Sequence, residues 1–297
     1  MRVRIAAAQY PIDEIKSFDA LRSKLTWWVE EAVRERAQLL VFPEYGAMEL
    51  AALFGPTIAR DLHAQIGAVS GIVAEVDALH AELAARHGVF ILAASLPILG
   101  GDGRARNTAR LFTPGGKQGA QEKLIMTRFE RESWGIAAGG PVRVFATALG
   151  RIGVSICYDA EFPLIARAQA EAGAEIILVP SCTDGFAGYS RVRIAARARA
   201  LENQCVTVQS PTVGHARWSP AVDVNVGAAA LFGPPDHGFP ADGIIAEGAL
   251  DRAMWVYGEA DLQQIAAVRR DGQVLNHAHW REQPGASALA AEIVDLT

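Results

Sequence analysis

The amino-acid sequence predicts an α/β protein in which mixed β-sheets lie between outer layers of helices. Segments with the period-two pattern or short apolar run of a strand alternate along the chain with segments of helical spacing. Two glycine-containing connections, Pro114-Gly115-Gly116 and Leu149-Gly150, each join two strand-like segments and indicate antiparallel hairpins. The predicted helices are apolar on one side only, which is typical of helices that cover a sheet.

The first half of the chain contains strand, helix, strand, helix, strand in that order. Alternation predicts a first strand at 2–9, and the apolar run that Pro43 closes predicts a strand buried on both faces. Glu44 follows this second strand directly. The remaining elements are helices at 21–33 and 66–87 and a strand at 89–96.

The second half begins with the two hairpins and continues with alternating helices and strands. The predicted elements are hairpins at 110–124 and 142–156, helices at 164–172 and 189–202, and strands at 175–180, 204–209, 228–232 and 253–257. A loop rich in Gly and Pro, 233–243, separates the last two strands. We expect one domain over 1–297, with 269–297 as a C-terminal arm that lies on another subunit, because that segment has little periodicity.

Composition excludes several classes of partner. The 297 residues carry a formal net charge of -5 and no run of Lys or Arg, which argues against nucleic acid or an anionic membrane as the main partner. No stretch of 18 uninterrupted apolar residues occurs, and the N-terminus enters a strand pattern at once, so we expect a cytoplasmic protein. The three cysteines are widely spaced without a CxxC pair, so we expect free thiols.

Cys157 follows the second hairpin and precedes the helix that Pro163 opens, so it lies at a strand-to-helix turn. A nucleophile at such a turn can stand clear of its own backbone, close to the N–H groups of the starting helix. A lone cysteine at a strand end is nevertheless more often a small buried hydrophobe than a nucleophile. Catalysis needs a base for the thiol, which Glu44 can supply, and a positive charge for an oxyanion, which Lys123 can supply. The local pattern places these groups at element ends without showing that the ends converge.

Three blocks together resemble the nitrilase superfamily of carbon–nitrogen hydrolases. They are Phe42-Pro43-Glu44-Tyr45, the segment from Glu122-Lys123-Leu124 to Glu130, and Cys157-Tyr158-Asp159-Ala160-Glu161-Phe162-Pro163. The segment Arg197 to Gln204 also looks like the family's helix and strand beyond the nucleophile. The resemblance implies a four-layer α-β-β-α sandwich that dimerises through helices.

The resemblance also assigns roles to residues. It implies that Glu44 is the general base, Lys123 stabilises the oxyanion, Cys157 is the nucleophile and Glu130 orients substrate and base. The backbone N–H of Tyr158 is the implied second oxyanion donor. The family's architecture further suggests substrate-binding residues in or near the pocket, namely Trp134, Glu161, Asp184 and Tyr189, with a further pocket loop near Trp218.

The motifs point to more than one branch of the family. Tyr158-Asp159 is closer to amidase-like branches, whereas the Lys123-Leu124-Ile125-Met126-Thr127 segment looks more like nitrilases. Glu161 stands where many members have arginine. These mixed signals leave the substrate open.

The implied activity is hydrolysis of a small amide or carbamoyl compound through a cysteine thioester, without a metal or organic cofactor. Nitrile hydrolysis, acyl transfer to an amine, and a non-catalytic scaffold on the same fold stay open as alternatives. A metal hydrolase is a weaker alternative, since His277-Ala278-His279 would place two imidazoles on one side of a strand without an evident third ligand. Cys182 and Cys205 are interpreted as packing residues without charged neighbours. The expected partners are the substrate and a second copy of the chain.

Overall fold

β1 (Arg2–Pro11) is the strand on which the fold is centred, and a computed structural model describes it together with the rest of residues 1–285. It pairs in parallel with β2 (Leu39–Val41) on one side. Its last residues pair in parallel with β9 (Val206–His215), while most of its length pairs antiparallel with β13 (Met254–Asp261). The two halves of the β-structure are therefore joined through β1.

The first half of the structure supplies one sheet and the helices on its outer face. In chain order its elements are α1 (Phe18–Arg34), β2, a 3₁₀ helix (Gly46–Phe54), α2 (Gly55–Ala59), α3 (Ala64–Gly71), α4 (Val73–His87), β3 (Phe90–Leu99), β4 (Ala105–Phe112) and β5 (Gln118–Glu122). The strands are ordered β5-β4-β3-β2-β1, parallel from β1 to β3 and antiparallel beyond.

The second half repeats this mixture of parallel and antiparallel pairing. Its elements are a π-helical turn (Phe129–Trp134), β6 (Val144–Thr147), β7 (Gly150–Val154), a 3₁₀ turn (Cys157–Glu161), α5 (Pro163–Glu171), β8 (Ile176–Ser181), α6 (Phe186–Asn203), β9, β10 (Val224–Asn225), β11 (Ala230–Phe232), β12 (Ile244–Glu247), β13, α7 (Leu262–Asp271), α8 (Asn276–His279) and a 3₁₀ turn (Trp280–Glu282). The strands are ordered β9-β8-β7-β6, with β11 and β12 added beside β9. Both expected hairpins, β4–β5 and β6–β7, are present.

Alternating side chains of β1 show the layers directly. Ala6, Ala8 and Tyr10 belong to the core that packs against α1 and α4, whereas Ile5 and Ala7 belong to the core that contains β7, β8 and α6. This alternation follows from the period of two in a strand. The layers are therefore helices, sheet, sheet and helices, with an apolar core between successive layers.

Several boundaries differ from the sequence predictions for local reasons. The helix expected over 66–87 is two helices, because Ile72 leaves helical geometry (φ -110°, ψ 11°) directly after Gly71. The strand expected to end at Ile156, directly before Cys157, ends at Val154, and an additional strand, β12, follows the Gly/Pro-rich loop. Short edge strands and helix ends carry little periodicity, so such boundaries are weakly encoded.

The expected C-terminal arm is only in part a separate segment. Residues 269–271 belong to α7. Helix α8 packs on α6 of its own subunit, and Arg167 of α5 donates to the backbone oxygen of His277 at 3.1 Å. The expectation that His277 and His279 lie on a strand is wrong, since both are in α8. The rest of the expected arm, 286–297, lies outside the described residues, and the single domain over the whole chain stays a prediction.

No helix among residues 1–285 is long and apolar enough to cross a lipid bilayer.

Candidate active site

Glu44 projects from the loop after β2 into the interior. The buried strand and Pro43 carry the chain to the sheet edge, and Tyr45 then takes a left-handed conformation (φ 53°) that starts the 3₁₀ helix. The Glu44 carboxylate is 1% exposed. Its Oε1 accepts from Lys123 Nζ at 2.8 Å and from Asn107 Nδ2 at 2.9 Å, and its Oε2 accepts from the Cys182 backbone N–H at 3.0 Å. Three donors therefore fix this carboxylate.

Lys123 lies between two carboxylates. It follows β5 directly, and its backbone N–H donates to the backbone oxygen of Asn107 at 2.8 Å, which continues the β4–β5 pairing to Lys123. Its Nζ contacts Glu130 Oε2 at 2.7 Å in addition to Glu44. A buried ammonium without partners would be very unfavourable, so the two carboxylates are what keep Lys123 charged.

Glu130 is held by its own set of donors. The π-helical turn aims its side chain back at Thr127, whose backbone N–H and Oγ1 both donate to Oε2 at 2.9 Å. The Tyr45 hydroxyl donates to Oε1 at 2.7 Å. Glu130 therefore links the Lys123 segment to the loop that carries Glu44.

Cys157 begins the 3₁₀ turn between β7 and α5, in a left-handed conformation (φ 50°) that is uncommon for a residue with a side chain. Its Sγ lies 3.9 Å from the backbone oxygen of Cys182. The first N–H groups of a helical turn lack acceptors within the turn, and Tyr158 is its second residue. The Tyr158 N–H therefore has no acceptor within the turn, and its role as an oxyanion donor stays a prediction.

Burial dominates the protonation equilibria of the cluster formed by Glu44, Lys123, Glu130 and Cys157. Burial raises the pKa of Glu44 to about 7, although Lys123 opposes the rise. Burial and the neighbouring Glu44 charge raise the pKa of the Cys157 thiol well above its ordinary value. Burial would lower the pKa of Lys123, but Glu44 and Glu130 outweigh it and raise that pKa. The thiol is thus neutral at rest, and a carboxylate that titrates near neutrality stands ready to accept its proton.

Two residues to which the sequence assigned no role in the site hold Glu44 and the segment after Lys123 in place. Asn107 donates to Glu44, and the Asp159 carboxylate accepts from the backbone N–H groups of Leu124 at 3.0 Å and Ile125 at 2.8 Å. Asn107 carried little sequence signal, because it lies among polar residues of β4 and before the predicted start of the hairpin at 110. Asp159 was visible in the cysteine block, but nothing local indicated its contact with the lysine segment.

The cluster forms the floor of a cavity of about 550 Å³. Trp134, Glu161 and Asp184 lie in its lining, as do Arg128 and Arg191, which the sequence did not suggest. This volume suits a small organic molecule.

The pocket prediction for Tyr189 is not met, since its ring lies outside this lining and packs 5.9 Å from the ring of Phe186. Gly188 and Val192 of α6 line the cavity wall instead, because the helical turn directs the Tyr189 side chain away from the cavity. Near Trp218 the lining comes from the loop 220–224, while Trp218 itself packs against the core.

The interpretation of Cys182 as a packing residue without a charged neighbour is wrong. It lines the cavity beside Glu44, and burial together with the Glu44 charge raises the pKa of its thiol to about 12. Burial and the neighbouring Glu44 carboxylate therefore suppress the ionisation of the Cys182 thiol. Cys205 is fully buried in the core, and burial raises its pKa to about 12 as well.

No group of three or more His, Cys, Asp or Glu side chains suited to a metal ion occurs within residues 1–285.

Comparisons with known proteins identify the family. Residues 4–270 match the family model described as carbon-nitrogen hydrolase. The chain is 36% identical over 275 residues to a probable hydrolase, YhcX, of Bacillus subtilis, covering 92% of this chain but only 52% of that protein's length. It is 26% identical over 277 residues to omega-amidase NIT2-B of Xenopus laevis, covering 90% of this chain and 92% of the relative.

Solved structures share the fold. Nit3 of Saccharomyces cerevisiae, a member of the nitrilase superfamily, superposes with a TM-score of 0.70 at 21% identity, covering 91% of this chain and 93% of Nit3. A carbon-nitrogen hydrolase from Helicobacter pylori superposes with a TM-score of 0.74 at 20% identity, covering 91% and 92% of the two chains. The four-layer sandwich that the resemblance implied is confirmed. With its cysteine, lysine and glutamate blocks at one cavity, the chain belongs to the carbon-nitrogen hydrolase family of the nitrilase superfamily.

Proposed function

We propose that this chain hydrolyses the carbon–nitrogen bond of a small amide through a thioester on Cys157. The observation that carries the proposal is the Lys123 ammonium, held 2.8 Å from Glu44 and 2.7 Å from Glu130 at the floor of the cavity that Cys157 also lines. Such a cluster offers a nucleophile, a base and a fixed positive charge within one water-poor site.

The first half-reaction transfers the acyl group to sulfur. Glu44 accepts the thiol proton of Cys157 as sulfur attacks the carbonyl carbon, and the carbonyl oxygen takes the negative charge. Lys123 and the Tyr158 N–H stabilise that oxygen. The C–N bond then breaks as Glu44 returns the proton to the departing ammonia or amine, which leaves the thioester.

The second half-reaction repeats these roles with water. Glu44 takes a proton from a water molecule as the water oxygen attacks the thioester carbon, and the same donors stabilise the oxyanion. Collapse releases the carboxylic acid and returns the proton to sulfur. Glu130 keeps Lys123 and Glu44 in place throughout, since it holds the far side of the ammonium.

Relatives support the amide over the nitrile. The chain resembles proteins named omega-amidase and deaminated glutathione amidase, and its fold matches an amidase from Nesterenkonia sp. AN1 whose active-site cysteine carries an acrylamide adduct. Nitrile hydrolysis and acyl transfer would use the same thiol, so products rather than geometry separate these reactions.

The test combines product analysis with trapping. Wild-type protein incubated with a panel of small amides should release ammonia or amine, and acid-quenched samples should show an acyl adduct on the peptide that contains Cys157. Cys157→Ala should show neither, while Cys205→Ala, which removes a thiol buried away from the cavity, should retain both. Turnover of nitriles but not amides would contradict the proposed reaction and indicate nitrile hydrolysis. An acyl adduct released only by added amine would indicate acyl transfer instead.

A further inference from the structure

The mouth of the active-site cavity carries carboxylates from three separate segments. Glu161 ends the 3₁₀ turn that begins at Cys157, Asp184 precedes α6, and Asp223 precedes β10. Asp184 and Asp223 are exposed, whereas the Glu161 side chain is only 22% exposed. Because these three segments surround one opening, their charges act on the same ligand.

The cations of the lining are already engaged. Lys123 is shared by Glu44 and Glu130. Arg128 forms a two-pronged pair with Glu132, both contacts at 3.0 Å, and its side chain is 89% exposed. Arg191 lies 3.5 Å from Glu161. Among the described lining residues, each lysine or arginine therefore has a carboxylate partner, whereas Asp184 and Asp223 form no ion pair.

Five carboxylates and three cations line this cavity, which gives it a negative balance. A cleft with an excess of one charge and low-dielectric walls concentrates ligands of the opposite charge. The lining also contains the rings of Phe129 and Tyr158, and aromatic faces attract ammonium groups. Carboxylates combined with aromatic rings suit a cation better than an anion.

We propose that the substrate is an amide carrying a protonated amine or another ammonium group, which the carboxylates of Glu161, Asp184 and Asp223 attract to the mouth while the amide reaches Cys157. This inference rests on the proposed function, because the reacting amide is placed at the catalytic cysteine. It adds a charge to the substrate and assigns three residues to specificity.

A matched substrate series tests the charge. δ-Aminovaleramide, valeramide and glutaramate place a cation, a methyl group or an anion at the far end of similar five-carbon amides. We expect kcat/KM for the amino amide to exceed that for valeramide roughly tenfold, and glutaramate to be the poorest substrate. The advantage should shrink in about 1 M salt, where the Debye length is about 3 Å.

Variants then assign the effect to the mouth. Glu161→Gln, Asp184→Asn and Asp223→Asn should each narrow the ratio of the amino amide to valeramide, and the triple variant should bring it close to one. Glu75→Gln removes the same charge from α4, which contributes no residue to the lining, and should leave the ratio unchanged. Equal efficiency for the three substrates, a preference for glutaramate, or a ratio unaffected by the triple variant would each overturn the inference while leaving amide hydrolysis intact.

Binding without turnover separates this inference from the proposed function. Calorimetric titration of the Cys157→Ala protein should show tighter binding of δ-aminovaleramide than of glutaramate, and the triple change in that background should remove the difference. If wild type hydrolyses none of the amides yet this binding preference is present, the proposed hydrolysis fails and the charge preference stands. If hydrolysis occurs and the preference is absent, only the charge preference fails.

Discussion

Glu44 should set the acid limb of the pH profile, because a protonated carboxyl cannot accept the thiol proton of Cys157. Burial raises the pKa of Glu44 to about 7, so we expect kcat/KM to fall as the pH drops through that value. Asn107 donates to Glu44 Oε1 at 2.9 Å and favours its charged form. Asn107→Leu should therefore move the acid limb to higher pH, as measured in pH–rate profiles with one neutral amide.

Thr108→Val is the matched control for this change. Thr108 is the next residue of β4, and its Oγ1 donates to the Arg106 oxygen rather than to the catalytic cluster. The pH–rate profile of Thr108→Val should match that of wild type. An unshifted limb in Asn107→Leu would mean that another group controls the rate.

Lys123→Ala should lose activity and stability together. Removing an oxyanion donor typically slows turnover by about 10²–10³-fold. Lys123 is 1% exposed between two buried carboxylates, and removing one partner of a buried ion pair costs about 3–5 kcal/mol of unfolding free energy. Without the ammonium, the pKa values of Glu44 and Glu130 should rise, so the loss of stability should be smaller at about pH 5 than at about pH 8.

Urea unfolding at both pH values, alongside steady-state rates, measures these effects. Lys117→Ala removes an exposed lysine from the turn of the same hairpin and should change stability by less than about 0.5 kcal/mol. Near wild-type activity in Lys123→Ala would remove Lys123 from the oxyanion site.

The proposed catalytic groups come from the ends of secondary-structure elements, and Asp159 connects two of those ends. Its carboxylate, two residues after Cys157, accepts from the N–H groups of Leu124 and Ile125, directly after Lys123. Asp159→Asn replaces one accepting oxygen by a donor that faces these N–H groups. We expect a drop in kcat of about tenfold or more with a smaller change in KM, because the misplaced groups act on the transition state.

Asp236→Asn separates this positioning effect from general destabilisation. Asp236 likewise accepts backbone N–H groups, from His237 at 2.7 Å and Gln273 at 2.8 Å, but lies outside the cavity lining. The Asp236→Asn change should lower thermal stability without slowing the alkylation of Cys157 by iodoacetamide. Asp159→Asn should slow that alkylation, and equal rates in the two variants would assign Asp159 a structural role alone.

At the scale of elements, the sequence indicated strands and helices better than it indicated their ends. Apolar runs closed by proline identified β2 and β8, because a strand buried on both faces has a distinct pattern. The left-handed backbone of Cys157 had no sequence signal, since such geometry usually marks Gly or Asn. The division into α3 and α4 depends on a single non-helical residue, Ile72, which a periodicity covering both helices does not resolve.

At the scale of the molecule, the resemblance supplied what local patterns could not. Glu44 and Lys123 are separated by 79 positions and meet only because of the strand order β5-β4-β3-β2-β1. Strand order depends on packing between distant segments, so periodicity carries no record of it. Asn107 and the cavity residue Arg191 illustrate the same limit, since their partners Glu44 and Glu161 lie far away in sequence.

Helices α5 and α6 present apolar side chains to solvent, and we propose that they form the interface of a homodimer. Leu164 on α5 is 66% exposed, and Ile194 and Leu201, seven positions apart on α6, are 67% and 39% exposed. Residues seven apart lie on one face of a helix, and exposed apolar patches commonly mark interfaces. The opposite side of α6 supplies Gly188 and Val192 to the cavity wall, so the interface would support the active site.

Sedimentation velocity at micromolar concentration tests this proposal. Wild type should sediment as a dimer, and Ile194→Lys should shift it toward monomer, because a two-fold interface places the new charge on both sides of the contact and buries it twice. Leu250→Lys makes the same kind of change at a leucine that is 43% exposed in the turn before β13, and this variant should stay dimeric. A monomeric wild type would contradict the dimer itself. A dimer that persists in Ile194→Lys would instead place the interface on another face of the molecule.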